Sequence, residues 1–265
     1  MFDLEVQIEE TLKKCISEYF KNKKVNTKHP LDYIFPKERR IFSIIHGLQT
    51  SIGTQLWEPL ALMFARLNNY EILDIKKFNQ EVPIPPSDLT NKIDNFLNLK
   101  EEQNLSNDDI ALELRNYIKH QKYKNLKYSK KIKKSHGVDI WLKKNQIELL
   151  IDIKTTQLNA GSGLKLNQNL LYWYVYRFLE ELDANINCII AFPFNPYGTN
   201  NDIYWQKEEG KVKPLIKNKE ALLADDFWDL LSGVSGTTEI IFHVFRKLGK
   251  EKFGSQFDDI FEEKN

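Results

Sequence analysis

The sequence predicts an α/β (α+β) fold in which helices pack on a mixed β-sheet. Helical periodicity fills the first part of the chain, alternating apolar and polar residues begin near residue 138, and a strand–helix–strand order follows. This order favours a sheet covered by helices. The 265 residues are enough to bury a sizeable core, and no compositional break demands a second domain. We therefore expect a single domain over residues 1–265.

The part of the chain over residues 1–118 is expected to be mainly helical. Apolar residues recur there at intervals of three and four, the spacing of a helix that buries one face. Pro59 cannot donate a backbone hydrogen bond and disfavours helix at Glu58, so a kink or a new helix start is expected there. Helices are predicted near 1–22, 41–56, 60–67, 88–99 and 107–117.

The sheet core is expected over residues 135–195. Val138, Ile140 and Leu142 alternate with polar residues, which predicts a strand. A tight turn at Asn145 leads to a second strand, 147–154, that is apolar enough to lie inside a sheet. The rest of the chain is predicted to form a helix at 166–182, a buried strand at 187–194, a loop-like region from 200 to 220, and a C-terminal part over 220–263 with helices at 221–231, 237–248 and 257–261.

Composition excludes several classes of protein. No stretch approaches the roughly 18 uncharged apolar residues of a membrane span, so we expect no membrane partner. Cys15 and Cys188 are flanked like core residues, which favours two free thiols in a reducing cytoplasm over a disulfide. No His or Cys pair has zinc-ligand spacing. Neither a phosphate-binding P-loop nor a nucleophile elbow occurs.

The net charge of +1 says little about partners, but one segment is strongly basic. Eight lysines and no acidic residue lie between Lys119 and Lys134, with two tyrosines interleaved. Such a segment could neutralise several phosphates of a nucleic acid. A solvated lysine-rich loop is the alternative. The candidate DNA-binding residues of this segment are Lys130, Lys131, Lys133 and Lys134.

Three residues on the predicted hairpin carry the chemistry. Asp139 and Asp152 lie on adjacent strands, and Lys154 comes two residues after Asp152. Since side chains alternate between the two faces of a strand, Asp152 and Lys154 point to the same face. We therefore expect two carboxylates and an ammonium group at one face of the sheet.

Two explanations of these aspartates are open, because an unpaired charge within apolar sequence is costly. Each could pair with a lysine or cap a loop. Alternatively, both are ligands for Mg²⁺, which takes one or two carboxylates and retains waters. Phosphodiester hydrolysis uses such a metal, and Lys154 would hold the attacking water and stabilise charge in the transition state. An Asp-x-Lys triplet alone is weak evidence, and the aspartate on the preceding strand strengthens it.

The same residues resemble a known motif. Asp139, Asp152 and Lys154 are similar to the motif of the PD-(D/E)xK nuclease superfamily, with Val138 in place of its proline. Over nearly the whole chain the sequence resembles, more closely, the TdeIII-type family of type II restriction endonucleases. The blocks that carry this resemblance are IHGLQTSIGTQLWEPLA, VDIWLKKNQIELLIDIKT, AFPFNPYG and LLADDFWDLLSG.

The resemblance implies a restriction endonuclease-like core and Mg²⁺-dependent cleavage of double-stranded DNA at a short palindrome, with a GC-rich site of the GGNCC kind. It also implies a homodimer, whose two-fold symmetry would match the palindrome. A cognate DNA methyltransferase would be its genetic partner. Two alternatives stay open: a structure-specific or repair nuclease of the same fold, and a catalytically silent DNA-binding protein.

The resemblance also implies a role for each residue of this trio and adds three candidate site residues. Asp139 and Asp152 would bind the metal, and Lys154 would be the catalytic lysine. Glu58 matches an acidic residue that such nucleases place on an N-terminal helix beside the metal, although a carboxylate stabilised at a helix start is the alternative. Lys165 and Gln168, on the helix after the lysine strand, are candidates for DNA or active-site contact, or else solvated residues of the first helical turn.

Overall fold

The computed structural model describes residues 2–21, 23, 29–103, 105–129, 132, 136–155 and 158–262. It divides into a helical unit, formed by residues 1–64 and 228–265, and a sheet unit, formed by residues 65–227. The single nuclease domain expected over residues 1–265 stays a prediction.

The helices, in chain order, are α1 (Phe2–Phe20), α2 (Pro36–Ile52), α3 (Glu58–Leu67), α4 (Ile75–Gln80), α5 (Ser87–Gln103), α6 (Asn107–Gln121), α7 (Ser162–Glu180), α8 (Asn201–Val212), α9 (Asp225–Ser232), α10 (Thr237–Lys250) and α11 (Asp258–Phe261). Two short 3-10 helices occupy Pro30–Tyr33 and Phe253–Phe257. The strands are β1 (Glu71–Ile72), β2 (Val82–Pro83), β3 (Tyr128–Ser129), β4 (Ile140–Lys144), β5 (Ile147–Ile153), β6 (Asn185–Phe192) and β7 (Ala221–Leu223).

The helical unit buries one face of each long helix. Ile8 and Leu12 of α1 and Ile44 of α2 have no exposed surface. Trp57 and Trp228 pack with ring centroids 5.8 Å apart, which adds an aromatic contact to the apolar burial. Part of the predicted apolar pattern therefore marks the core of this unit, and part of it is exposed on α1 and α2.

The chain remains helical from α2 through Pro59 into α3. Residues Gly53–Trp57 form a π-helical turn between α2 and α3, and the Glu58 N–H donates to the Gly53 carbonyl. This wider turn accommodates a proline, which has no N–H of its own to donate. The predicted kink or restart is thus realised as a bulge in a continuous helix, so Glu58 is not at a free helix N-terminus.

The sheet unit contains the predicted mixed sheet, with strand order β1-β4-β5-β6-β7. Strands β4 and β5 form an antiparallel hairpin, and Asn145 and Gln146 turn it with φ of 49° and 66°. Positive φ at both turn residues is typical of tight two-residue hairpins. β6 and β7 are parallel to β5, and α7 crosses from β5 to β6. The predicted fold class is confirmed.

Helix α7 covers one face of β5. Arg177, near the end of this helix, donates to both carboxylate oxygens of the buried Glu148 at 2.9 Å, and the Trp141 indole N–H donates to the same carboxylate. The paired guanidinium offsets the cost of burying that charge. Because side chains alternate along β5, Asp152 lies on the same face as Glu148.

Two regions of the C-terminal half differ from the sequence prediction. The helix predicted at 221–231 begins only at Asp225, because Ala221–Leu223 pairs in parallel with β6 as a strand. Ala224, with φ of 50°, separates the two elements. The loop predicted from 200 to 220 contains α8, which Asn200 caps through its side chain. Its buried face includes the charged Glu208, which hid the helical pattern.

Both cysteines are buried and free, as predicted. Burial raises the pKa of the Cys188 thiol well above its usual range, so it stays protonated. Among the described residues, no helix is both long and apolar enough to cross a bilayer.

Candidate active site

A pocket of about 450 Å³ opens at the end of the β4–β5 hairpin and brings together the three predicted residues, Asp139, Asp152 and Lys154. The other lining residues come from the chain before β4 and from the start of α7. They are Asn79, Gly137, Val138, Leu158, Ser162, Lys165, Leu166 and Asn169.

Asp152 and Lys154 form an ion pair at this pocket. The Lys154 Nζ atom lies 2.7 Å from Oδ1 and 2.6 Å from Oδ2 of Asp152. Asp152 is the penultimate residue of β5, and Lys154 directly follows that strand, with its backbone N–H donating to the Ala191 carbonyl of β6. The expectation that the two side chains share one face is confirmed. The Asp152 side chain is 7% exposed and that of Lys154 is 33% exposed.

Asp139 lies one residue before β4 rather than within a strand. Its N–H donates to the Ile151 carbonyl at 3.0 Å, and its Oδ2 atom accepts the Ile153 N–H at 2.7 Å. The carboxylate therefore takes the place of a backbone carbonyl in the pairing with β5. This contact holds Asp139 beside the strand that carries Asp152.

Residues outside the predicted trio position the Asp139 segment. Asn79, just before the end of α4, binds the backbone of Val138 twice: its Nδ2 donates to the carbonyl at 3.0 Å and its Oδ1 accepts the N–H at 3.1 Å. His136 is buried against α7, where its Nδ1 lies 2.8 Å from the Tyr176 hydroxyl and its carbonyl accepts the Trp173 indole N–H. These contacts fix the backbone on the N-terminal side of Asp139.

One face of α7 forms the opposite wall of the pocket. Ser162, Lys165, Leu166 and Asn169 follow the i, i+3, i+4, i+7 spacing of a helical face and all line the pocket. Lys165 is thus at the site, as one alternative predicted. Gln168 falls off this face and does not line the pocket, so its predicted active-site contact is not found; its role in DNA binding stays a prediction.

Glycine lets the start of α7 approach its neighbour closely. A Cβ atom on Gly163 would lie 2.3 Å from the Val212 carbonyl oxygen and 2.1 Å from that of Lys213, distances that no side chain tolerates. Gly163 is therefore a close-packing residue inside the helix, which begins at Ser162 rather than at the predicted residue 166. Gly161, with φ of 78°, does precede the helix in the left-handed conformation that favours glycine.

Asn79 and Asn169 are residues that sequence reasoning missed. Asn169 had a detectable signal, because it lies four residues after Lys165 on a predicted helix and so shares its face. Asn79 had no detectable signal in the sequence. It lies about 60 residues before Asp139, and only the tertiary fold brings it to the neighbouring Val138.

Other predicted residues lie elsewhere. Glu58 is in the helical unit, at the first position of α3, and its role stays a prediction. The candidate DNA-binding residues Lys130, Lys131, Lys133 and Lys134 lie outside the described residues. Four described lysines of the same segment are exposed to solvent: Lys119, Lys122, Lys124 and Lys127.

The chemistry of the pocket fits a hard divalent cation. It offers two carboxylates and a buried amide oxygen, Oδ1 of Asn169, that no described group contacts. Among the described residues there is no cluster of three or more His, Cys, Asp or Glu side chains, so a full protein cage is not built. Mg²⁺ suits this arrangement, since it binds one or two carboxylates and keeps waters for the remaining positions.

A mixed sheet whose hairpin presents two aspartates and a lysine to one pocket defines the class as a PD-(D/E)xK-like, restriction endonuclease-type core. The sequence profile described as "Type II restriction endonuclease, HinfI" matches residues 3–249. The chain therefore belongs to the HinfI family of type II restriction endonucleases, a family of site-specific deoxyribonucleases. The predicted class is confirmed at this level, and the closer resemblance to TdeIII-type enzymes stays a prediction.

A curated relative agrees with this family. The chain is 25% identical over 223 residues to the type II restriction enzyme MjaII of Methanocaldococcus jannaschii. The match covers 81% of this chain and 56% of the relative, so the chain spans little more than half of that protein's length. No solved structure matches significantly.

Proposed function

We propose that this protein is a Mg²⁺-dependent endonuclease that hydrolyses phosphodiesters of double-stranded DNA at a short palindromic site. The observation that carries the proposal is the convergence of Asp139, Asp152 and Lys154 on one pocket. The whole protein's activity is part of the proposal, since the MjaII match covers only part of that relative.

In this mechanism Asp139 and Asp152 hold the cation through carboxylate oxygens. Mg²⁺, when bound, supplies the positive charge that polarises the phosphoryl group and acidifies a water. Lys154 is the partly exposed member of its pair, so its Nζ can turn from Asp152 toward the substrate. There it orients the attacking water and donates to a phosphoryl oxygen, which stabilises the negative charge that develops on it.

Further contacts with DNA belong to the same proposal. Lys165 is exposed at the pocket wall, where its ammonium can bind a phosphate beside the one that is cut. The basic segment from Lys119 to Lys134 supplies phosphate contacts, and Gln168 remains a candidate for DNA contact. Glu58 is proposed as a further acidic residue of the site, a role that rests on the family resemblance alone.

A homodimer would deliver one cut to each strand of a palindrome. The helical unit carries an exposed apolar surface formed by the 3-10 helix Pro30–Tyr33, the residues that follow it and the first half of α2. An ion pair between Asp32 and Arg39, 3.1 Å long, joins the 3-10 helix to α2. We propose this surface as the dimer contact, since large exposed apolar patches mark interaction sites. Its residues are between 38% and 90% exposed: Leu31, Tyr33, Ile34, Phe35, Ile41, Phe42 and Ile45.

The dimer is tested by size and mass in solution. Phe42→Glu should convert a dimer into a monomer in size-exclusion chromatography with light scattering, because it places a charge in the apolar contact. Leu112→Glu, at a 56% exposed position of the sheet unit, is the matched control and should stay dimeric. A monomeric wild type, or a dimeric Phe42→Glu variant, contradicts this part of the proposal.

The cleavage activity is tested with a plasmid of known sequence and Mg²⁺, followed by sequencing of the ends. Discrete fragments that share one short palindrome are expected, and the resemblance to TdeIII-type enzymes favours a site of the GGNCC kind. Asp139→Ala and Asp152→Ala should abolish cleavage but keep DNA binding in Ca²⁺. A neighbouring DNA methyltransferase gene would supply the expected genetic partner.

The alternatives give different products. Smearing, or cutting only at junctions, would indicate a structure-specific or repair nuclease of the same fold. Absence of cleavage together with intact DNA binding would indicate a catalytically silent DNA-binding protein. Full activity of either aspartate variant would reject the assigned site.

A further inference from the structure

Asn169 places at the wall of this pocket a side-chain oxygen that no described residue hydrogen-bonds. The residue is 5% exposed, and no hydrogen bond reaches its Oδ1 atom from any residue that the structure describes. A buried hydrogen-bond acceptor without a partner is destabilising. Native proteins therefore keep such an acceptor mainly where a ligand, water or ion interacts with it. Asn169 therefore indicates a partner that belongs to the pocket.

Several other side-chain oxygens of the pocket already have partners within the protein. Oδ1 of Asn79 accepts the Val138 N–H, Oδ2 of Asp139 accepts the Ile153 N–H, and both oxygens of Asp152 contact Lys154. The two lysines at this pocket are donors only. The Oδ1 atom of Asn169 is thus a neutral acceptor that takes no part in the contacts given above.

We propose that Asn169 Oδ1 is a third protein oxygen of the metal site and accepts a hydrogen bond from the hydration shell of the cation held by Asp139 and Asp152. This inference rests on the proposed function. Mg²⁺ and Mn²⁺ at a site with two carboxylates keep several waters, and each water has two protons to donate. An outer-sphere acceptor orients such waters and raises metal affinity, as other groups around metal ligands do.

The backbone around Asn169 suits a positioning residue. The side chain projects from the second turn of α7, on the same face as Ser162 and Lys165. The start of this helix is set by the close approach of Gly163 to the Val212 and Lys213 carbonyls. A rigid helix holds the amide oxygen in place without a hydrogen bond of its own.

Asn167 offers a matched control two residues earlier on α7. It is fully buried, and neither of its polar side-chain atoms has a hydrogen-bond partner among the described residues. Asn167 does not line the pocket. Lack of a partner is therefore common to both asparagines, and only the position of Asn169 links it to the metal.

The experiment measures Mn²⁺ binding to the metal-free full-length protein by titration calorimetry, in the absence of DNA. Asn169→Leu should weaken Mn²⁺ binding by about 10-fold or more, the effect typical of losing an outer-shell partner. Asn169→Asp, which keeps an acceptor oxygen, should restore binding. Asn167→Leu should bind Mn²⁺ like the wild type, and circular dichroism should show that all variants are folded.

Three outcomes would overturn the inference. Wild-type Mn²⁺ affinity in Asn169→Leu would show that the amide oxygen does not serve the metal. Normal Mn²⁺ affinity with weaker DNA binding would show that Asn169 contacts the substrate instead. Absence of Mn²⁺ binding by the wild type, or unchanged binding by Asp139→Ala, would reject the proposed metal site itself and this inference with it. The first two results leave the proposed nuclease function intact.

Discussion

Two lysine–carboxylate pairs in the sheet unit have opposite surroundings. Lys100 and Glu220 are both buried, with Nζ 2.5 Å from Oε2, and Lys100 also donates to Asn107 Oδ1 at 2.7 Å. Glu220 accepts the N–H groups of Asn107 and Ile216 as well. The Asp152–Lys154 pair instead borders a pocket, and its lysine side chain is one-third exposed.

The difference shows what separates a structural pair from one that we propose to be catalytic. Burial lowers the pKa of Lys100, and the attraction of Glu220 opposes that change, so the pair is held by the fold around it. Each of the Glu220 oxygens is engaged by groups of the protein. Lys154 lies where a phosphate or water can compete with Asp152 for its ammonium group, and the pocket gives both side chains access to a ligand.

Lys100→Met is expected to have the largest effect on stability. It leaves Glu220 buried without its cation, which costs about 3–5 kcal/mol. Urea denaturation should show this loss in the free energy of unfolding. Cleavage per folded molecule should match that of the wild type. A loss below about 1 kcal/mol would mean that the buried pair does not act as a structural element.

Lys154→Met makes the same change at the Asp152–Lys154 pair, and it should reduce cleavage strongly while changing stability little. Cleavage is expected to fall by about 100- to 1000-fold, because a charge that stabilises the transition state is lost. The free energy of unfolding should fall by about 1–2 kcal/mol, less than in Lys100→Met, because Asp152 loses its cation but borders a pocket that admits water. Steady-state plasmid cleavage and urea denaturation measure both quantities. Wild-type cleavage would remove Lys154 from the active site.

A double substitution at Lys100 and Glu220 separates the contribution of their ion pair from that of side-chain packing. Lys100→Met with Glu220→Gln removes both charges, and the Gln oxygen can still accept one of the two N–H groups that Glu220 accepts. We expect it to recover at least about 2 kcal/mol relative to Lys100→Met alone. Strict additivity of the two single substitutions in denaturation experiments would contradict a coupled pair.

Asn79→Ala tests how far the proposed active site depends on the contacts that position Asp139. The substitution removes both hydrogen bonds to the Val138 backbone, at a cost of about 1–3 kcal/mol. Cleavage should fall by about 10-fold, because the neighbouring Asp139 loses its position. Asn79→Asp, which keeps only the acceptor, should be intermediate. Loss of stability with unchanged cleavage would restrict Asn79 to a structural role.

The smallest expected effect concerns the two polar residues predicted on α7. Lys165→Ala should weaken DNA binding by a few-fold, the loss of roughly one phosphate contact, with a smaller salt dependence. Gln168→Ala, off the pocket face, should weaken it less. Fluorescence anisotropy with a DNA duplex in Ca²⁺ compares the two. A larger loss of DNA binding in Gln168→Ala than in Lys165→Ala would mean that Gln168, and not Lys165, is the more important DNA contact.

The hairpin and the convergence of its three candidate residues were predictable from sequence because they depend on local patterns. Alternation around Asp139 and the two-residue spacing from Asp152 to Lys154 fix the side-chain directions within short strands. The tight turn at Asn145 joins those strands with little intervening chain. Local spacing also places Lys165 and Asn169 on one face of a helix, and Gln168 lies outside that face.

By itself the sequence determined the mixed fold class, the hairpin and the aspartate–lysine trio that it carries. Only the tertiary structure decided that Ala221–Leu223 is a strand, that Glu208 lies on a buried helical face, and that Asn79 holds the backbone beside Asp139. These features depend on pairing between segments far apart in the chain. Such pairing overrides local propensity, because burial and backbone hydrogen bonds outweigh the small intrinsic preferences of single residues.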